Sequence, residues 1–77
     1  MKTVILDLSG LKCPMPVLRT QKAVRDMQPG DLLEVIATDP MSAIDIPNLL
    51  RETGDRLLEQ ERDGGRLIFR IEKSRRD

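Results

Sequence analysis

The sequence predicts an α/β (α+β) two-layer sandwich with the order βαβαββ, two helices covering one face of a four-stranded mixed sheet. Three observations predict it. Apolar, β-branched runs alternate with stretches of helical periodicity through the first two thirds of the chain. The last third reads as two strand runs joined by Asp63-Gly64-Gly65, a hairpin turn by composition. Most strands and both helices carry a single apolar face, and two layers with right-handed crossovers are the economical way to bury such faces.

Taken in order, Thr3 to Leu8 is the first strand, with Val4, Leu6 and Leu8 on one side and Thr3 and Asp7 on the other. Ser9-Gly10 breaks it. A helix is expected from Pro14 to about Met27, its core arc formed by Val17, Thr20, Ala23, Val24 and Met27 with Pro16 beside them. Gln28-Pro29-Gly30-Asp31 is a turn. Leu32 to Thr38 is apolar on both faces, which suits a central strand. Asp39-Pro40 repeats the device of a capping residue before proline, and predicts a second helix from Pro40 to about Glu52 built on Ala43, Ile46, Leu49 and Leu50. Pro47 falls in its middle, so a kink or restart is expected, recapped by Asp45. Arg56 to Arg62 is charged enough for an edge strand. Arg66 to Lys73 turns Leu67, Phe69 and Ile71 inward. Residues 74–77 are expected to form a mobile tail on a single domain spanning 1–77.

Composition narrows the function. A chain of 77 residues is short enough that folding buries only about 60% of its surface, leaving no room for a deep pocket around a large cofactor. Thirteen basic and thirteen acidic residues cancel, which counts against a dedicated nucleic-acid binder. One cysteine precludes an intramolecular disulfide and a dithiol cycle. Without histidine there is no Cys-His pair and no conventional zinc site, so no metal is expected. The N-terminus reads as free of a targeting segment, and no stretch has membrane-spanning length, so the expected location is cytoplasmic.

The cysteine lies in Leu11-Lys12-Cys13-Pro14-Met15-Pro16. Pro14 suits the first helical position and Pro16 still removes only an N–H without an intrahelical partner, which would put Cys13 at the N-cap. The helix terminus and Lys12 would then lower the thiol pKa. Met15 and Leu18 fall off the core arc beside the cysteine, a small docking patch flanked by Arg19 and Lys22, or else ordinary surface apolar residues on a solvated helix face. A nucleophile without base, metal or pocket is poorly equipped to turn over alone. It is well equipped to accept a group from one protein and surrender it to another, which thiol exchange permits.

Leu8-Ser9-Gly10-Leu11-Lys12-Cys13-Pro14-Met15-Pro16 resembles the N-terminal signature of the TusA (SirA-like) sulfur-carrier family, and Thr38-Asp39-Pro40 with Asp45-Ile46-Pro47 resembles its second signature. Gln28-Pro29-Gly30 and the element order agree. The resemblance implies a sulfurtransferase-type carrier that holds sulfane sulfur as a persulfide on Cys13. The donor would be a cysteine desulfurase or rhodanese-type enzyme and the acceptor another protein of a relay. Transfer RNA 2-thiouridine synthesis, sulfur oxidation and molybdenum cofactor synthesis are the family's destinations. Such a carrier needs no cofactor and is expected to be a monomer. Lys12, Pro14, Pro16, Asp39 and Asp45 would support the motif, the two aspartates as caps or as the rim of the thiol site. Asp55 departs from the family, many of whose members have histidine after the glycine that ends the second helix. Two other readings remain at this point: an interaction or regulatory module in which Cys13 only packs, and a nucleic-acid-binding domain, against which neutral charge and a single phenylalanine argue.

Overall fold

The computed structural model describes residues 2–74. Its elements are β1 (Thr3–Leu8), α1 (Met15–Arg25), β2 (Leu32–Ala37), α2 (Ser42–Thr53), β3 (Arg56–Asp63) and β4 (Arg66–Glu72). The sheet order is β1-β2-β4-β3, with β1 parallel to β2 and the other pairs antiparallel. The mixed sheet and the order βαβαββ match the sequence expectation.

Alternation decides which face the helices cover. Val4, Leu6 and Leu8 of β1 lie in register with Leu33, Val35 and Ala37 of β2, which pair in turn with Ile71, Phe69 and Leu67 of β4. These side chains share one face, and Val24 of α1 with Ile46 and Leu50 of α2 close over it. Val35, Ala37, Ile46, Phe69 and Ile71 have no exposed surface at all. The expected arc of α1 is only partly buried. Pro16, Thr20 and Val24 are inside, whereas Val17, Ala23 and Met27 are half-buried. Thr20 is tolerated there because its hydroxyl donates to the Pro16 carbonyl at 2.8 Å, satisfying a buried polar group locally.

β3 is the edge strand its charge predicts, and a bulge between Leu57 and Glu59 interrupts its pairing with β4. On the uncovered face Arg70 reaches Glu34 at 3.2 Å, Glu59 at 2.7 Å and Glu61 at 2.8 Å, one guanidinium spanning three strands. Asp31, in the turn before β2, accepts the backbone N–H groups of Lys2 and Gln28 and so ties that turn to the N-terminus.

Several details differ from expectation. α1 starts one residue later than expected, because the first α-type bond runs from the Leu18 N–H to the Pro14 carbonyl. That makes Pro14 the N-cap and leaves Cys13 outside the helix. The Cys13–Pro14 peptide is cis. α2 starts at Ser42, since Pro40 and Met41 are used in a turn whose carbonyls accept from Ala43 and from Ile44 and Asp45. Pro47 neither splits α2 nor brings a new cap: burial of Ile46, Leu49 and Leu50 on either side holds the helix through the missing bond, and Asp45 is free for another use. Ser74 is the first residue of the expected tail. Ser74 is held by an N–H donated to Asp55 at 2.9 Å and a hydroxyl donated to the Gly54 carbonyl at 2.7 Å. Residues 75–77 lie outside the described residues.

Candidate functional site

Because β1 and β2 are parallel, their C-terminal ends lie side by side, and so do the two loops that lead into α1 and α2. The ends of α/β strands are where such folds place function. Here the two loops are joined by side-chain bonds. Asp7 accepts both the N–H of Ser9, at 3.0 Å, and its hydroxyl, at 2.6 Å, and these bonds hold its carboxyl below the usual carboxylate range. Gly10, at φ +84°, turns the chain where an L side chain would be strained. Its N–H then donates to the Thr38 hydroxyl oxygen at 2.8 Å.

The cysteine loop is fixed in the same way. The Cys13 N–H donates to Oδ2 of Asp39 at 2.6 Å, and Oδ1 of the same carboxylate accepts the N–H of Met41 at 3.2 Å. Asp39 therefore tethers the thiol loop to the chain that enters α2; the N-cap of that helix is Met41, without a side-chain cap bond, so the cap expected of Asp39 is not formed. Asp45, in the first turns of α2, turns its carboxylate to the thiol, with Sγ 3.6 Å from Oδ2. It acts as rim, and its capping role is not realised.

Cys13 is exposed, and it stands between two shallow depressions. One, of about 350 Å³, is lined by Gly10, Leu11, Lys12, Thr38, Asp39 and Pro40 besides the cysteine. The other, of about 330 Å³, runs between the helices past Val17, Asp45, Asn48 and Glu52. Neither encloses a ligand. Among the described residues no cluster of His, Cys, Asp and Glu could hold a metal ion.

The electrostatics reverse the sequence expectation. The Cys13 thiol is pushed up from its ordinary value, first by dehydration from the surrounding loop, then by its hydrogen bond to Asp45 and by the charges of Asp45 and Asp39. Cys13 precedes the helix instead of capping it, and its own N–H is spent on Asp39, so the thiol meets dehydration and two carboxylates where the sequence expected a helix terminus.

Of the other residues singled out by sequence, Pro16 is buried and anchors the start of α1, while Lys12 and Pro14 flank the cysteine at the surface. Met15, 36% exposed, and Leu18, 48% exposed, stand off the core with Arg19 and Lys22 on the same solvent side. Sequence reasoning missed Met41, 46% exposed, and Ile44, 56% exposed, which stand equally bare at the start of α2. Met41 follows Pro40 of the first depression, and Ile44 precedes Asp45 at the thiol. The signal was available, since neither falls on the apolar stripe of α2. Thr38 was missed as a side-chain acceptor because nothing in sequence says which amide would face it.

Fold and site together define a class: a small two-layer α/β protein that presents one exposed thiol at the junction of two βα loops, without a histidine. Comparison with known proteins makes this specific. The chain belongs to the TusA family of sulfur carriers, since the model of that family, described as sulfurtransferase TusA, matches residues 4–73. The sulfur carrier protein TusA of Allochromatium vinosum is 46% identical over 69 residues, covering 90% of this chain and 91% of that protein. The protein of the same name from Pseudomonas aeruginosa is 46% identical over 69 residues, covering 90% and 87%. In shape, the crystal structure of a SirA-like protein from Desulfitobacterium hafniense superposes with a TM-score of 0.81 at 24% identity, covering 94% of this chain and 99% of that one. That last likeness concerns the fold.

Proposed function

We propose that Cys13 carries sulfane sulfur as a persulfide between a donor enzyme and an acceptor protein. The observation that supports this most is the placement of the only cysteine: exposed, held by bonds from the loop before α2 and from α2 itself, and open to solvent on both sides. A packed structural cysteine needs none of these. In the cycle, the Cys13 thiolate attacks the outer sulfur of a donor persulfide. The S–S bond of the donor breaks, its electron pair leaves on the donor cysteine as thiolate, and a new S–S bond forms at Cys13. An acceptor thiolate repeats the exchange and frees Cys13. Nothing is oxidised or reduced overall, and no cofactor is required.

Such transfer needs two successive partners to dock over the thiol. Met15 and Leu18 at the start of α1 and Met41 and Ile44 at the start of α2 provide apolar contact, with Arg19 and Lys22 attracting an acidic partner. A cysteine desulfurase or a rhodanese-type enzyme fits the donor role, and a cytoplasmic, monomeric carrier fits a relay to tRNA thiolation or to related sulfur trafficking and oxidation. The main competing reading, an interaction module in which Cys13 only packs, is disfavoured by the exposure of that residue.

The test is direct. Reduced protein is incubated with a desulfurase and cysteine and weighed intact without reductant. Gain of one sulfur, lost on reduction and absent in Cys13→Ser, is expected. Folded protein that takes no sulfur from desulfurase, rhodanese or polysulfide would reject the carrier reading.

A further inference from the structure

We propose that Asp45 keeps the empty carrier quiet: its carboxylate accepts the S–H of Cys13 and holds the unloaded sulfur as a neutral thiol, while a sulfur added to Cys13 lies beyond its control. The second half rests on the persulfide reading given above; the first half does not.

The geometry fixes the pair. Ile46, Leu49 and Leu50 bury one side of α2 and so set its rotation, which turns Asp45 with Asn48 and Glu52 into the cleft beside Cys13. From the other side, the Asp39 carboxylate holds the Cys13 backbone and prevents the loop from swinging the sulfur away. The charged groups around the sulfur are Asp45 in contact with it, Asp39 on the Cys13 backbone N–H, Lys12 next in the chain, and Glu52 farther along the cleft. Three of these four are acidic. A thiolate at 3.6 Å from Oδ2 would meet like charge and lose the hydrogen bond, so the neutral thiol is the preferred state.

A persulfide changes both terms. Its Sγ has no proton to donate to Asp45, and its ionising sulfur lies about 2 Å farther out along a new S–S bond. Coulomb repulsion falls with that distance and with exposure to water. Asp45 thus suppresses the nucleophile in the empty state much more than in the loaded state. An empty thiol kept neutral is slow toward oxidants and stray electrophiles, because the thiolate is the reactive form. Loading becomes selective for a donor that draws the proton or offsets the Asp45 charge as it docks.

Alkylation of Cys13 by iodoacetamide, followed by intact mass from mildly acidic to alkaline pH, tests the first half without any sulfur chemistry. In Asp45→Asn the rate–pH midpoint should move to lower pH. The rate at pH 7 should rise about three- to ten-fold, since one full pKa unit is tenfold in thiolate. Asp45→Glu should keep a midpoint well above that of Asp45→Asn. An unmoved midpoint in the asparagine variant, or a glutamate variant as fast as the asparagine one, overturns the proposal; circular dichroism confirms that each variant is folded. For the second half, wild type and Asp45→Asn are loaded with inorganic polysulfide and alkylated again. Asp45→Asn should accelerate the loaded form less than the empty form, and equal acceleration rejects the discrimination between states. If neither protein loads, the persulfide reading fails, and the role of Asp45 toward the bare thiol stands or falls on the first measurement.

Discussion

The backbone N–H of Cys13 and the carboxylate of Asp39 meet at 2.6 Å across 26 residues of chain. This bond joins the two βα loops at the thiol, and the same carboxylate also accepts from Met41 at the entry to α2. The position of the sulfur is therefore a property of two segments, and either can disturb it.

Asp39→Ala should loosen the cysteine loop while leaving the core intact. We expect a stability loss of about 1 kcal/mol, as for removal of a capping carboxylate. Amide hydrogen exchange at Cys13 should rise by more than this global loss explains. Exchange that tracks global stability alone would show that the tether is redundant.

The apolar rim predicts a separation of docking from chemistry. Met41→Ser and Ile44→Ser should slow sulfur delivery from a donor enzyme at least several-fold, as should Met15→Ser and Leu18→Ser. None of them should change the alkylation rate of the bare thiol much, since all four side chains are at the surface and off the core. Equal transfer rates in all four variants would mean that partners dock elsewhere.

Phe69 is fully buried on β4 between pairing strands, with Val35 opposite it on β2. Phe69→Ala should cost about 3–5 kcal/mol, a large share of the stability of a small domain. Urea unfolding should show a midpoint far below wild type, or a chain already unfolded. A loss under 1 kcal/mol would mean that the core collapses around the gap.

Asp7 and Ser9 offer a titration readout of the loop that leads to the thiol. Ser9 donates twice to the Asp7 carboxylate and lowers its pKa, so the bonds favour the folded state above the unfolded pKa and are lost as pH falls through the lower, folded one. Ser9→Ala should move the Asp7 titration, followed by NMR, upward toward an ordinary aspartate. The backbone bond from residue 9 would remain, so the shift should be partial.

The limits of legibility follow from particular residues. Thr3 to Leu8 and Leu32 to Ala37 read as strands because their alternation is local, and Cys13 directly before Pro14-Met15-Pro16 reads as a site because a structural cysteine does not need that setting. Pro47 misled because local rules assign it a break. The burial of Ile46, Leu49 and Leu50, a tertiary term, holds α2 together across it.

By itself the sequence determined the two-layer fold, the family and the single thiol, all of which depend on patterns along the chain. Only the tertiary structure decided the state of that thiol. Local reasoning gave Cys13 a helix terminus and Lys12, hence a lowered pKa, whereas the tertiary fold dehydrates the thiol first and then, through parallel pairing of β1 with β2, brings Asp45 and Asp39 to it, which raises the pKa. Electrostatic interaction depends on distance in space. A sequence separation of 32 between Cys13 and Asp45 concealed a contact of 3.6 Å until the sheet closed it.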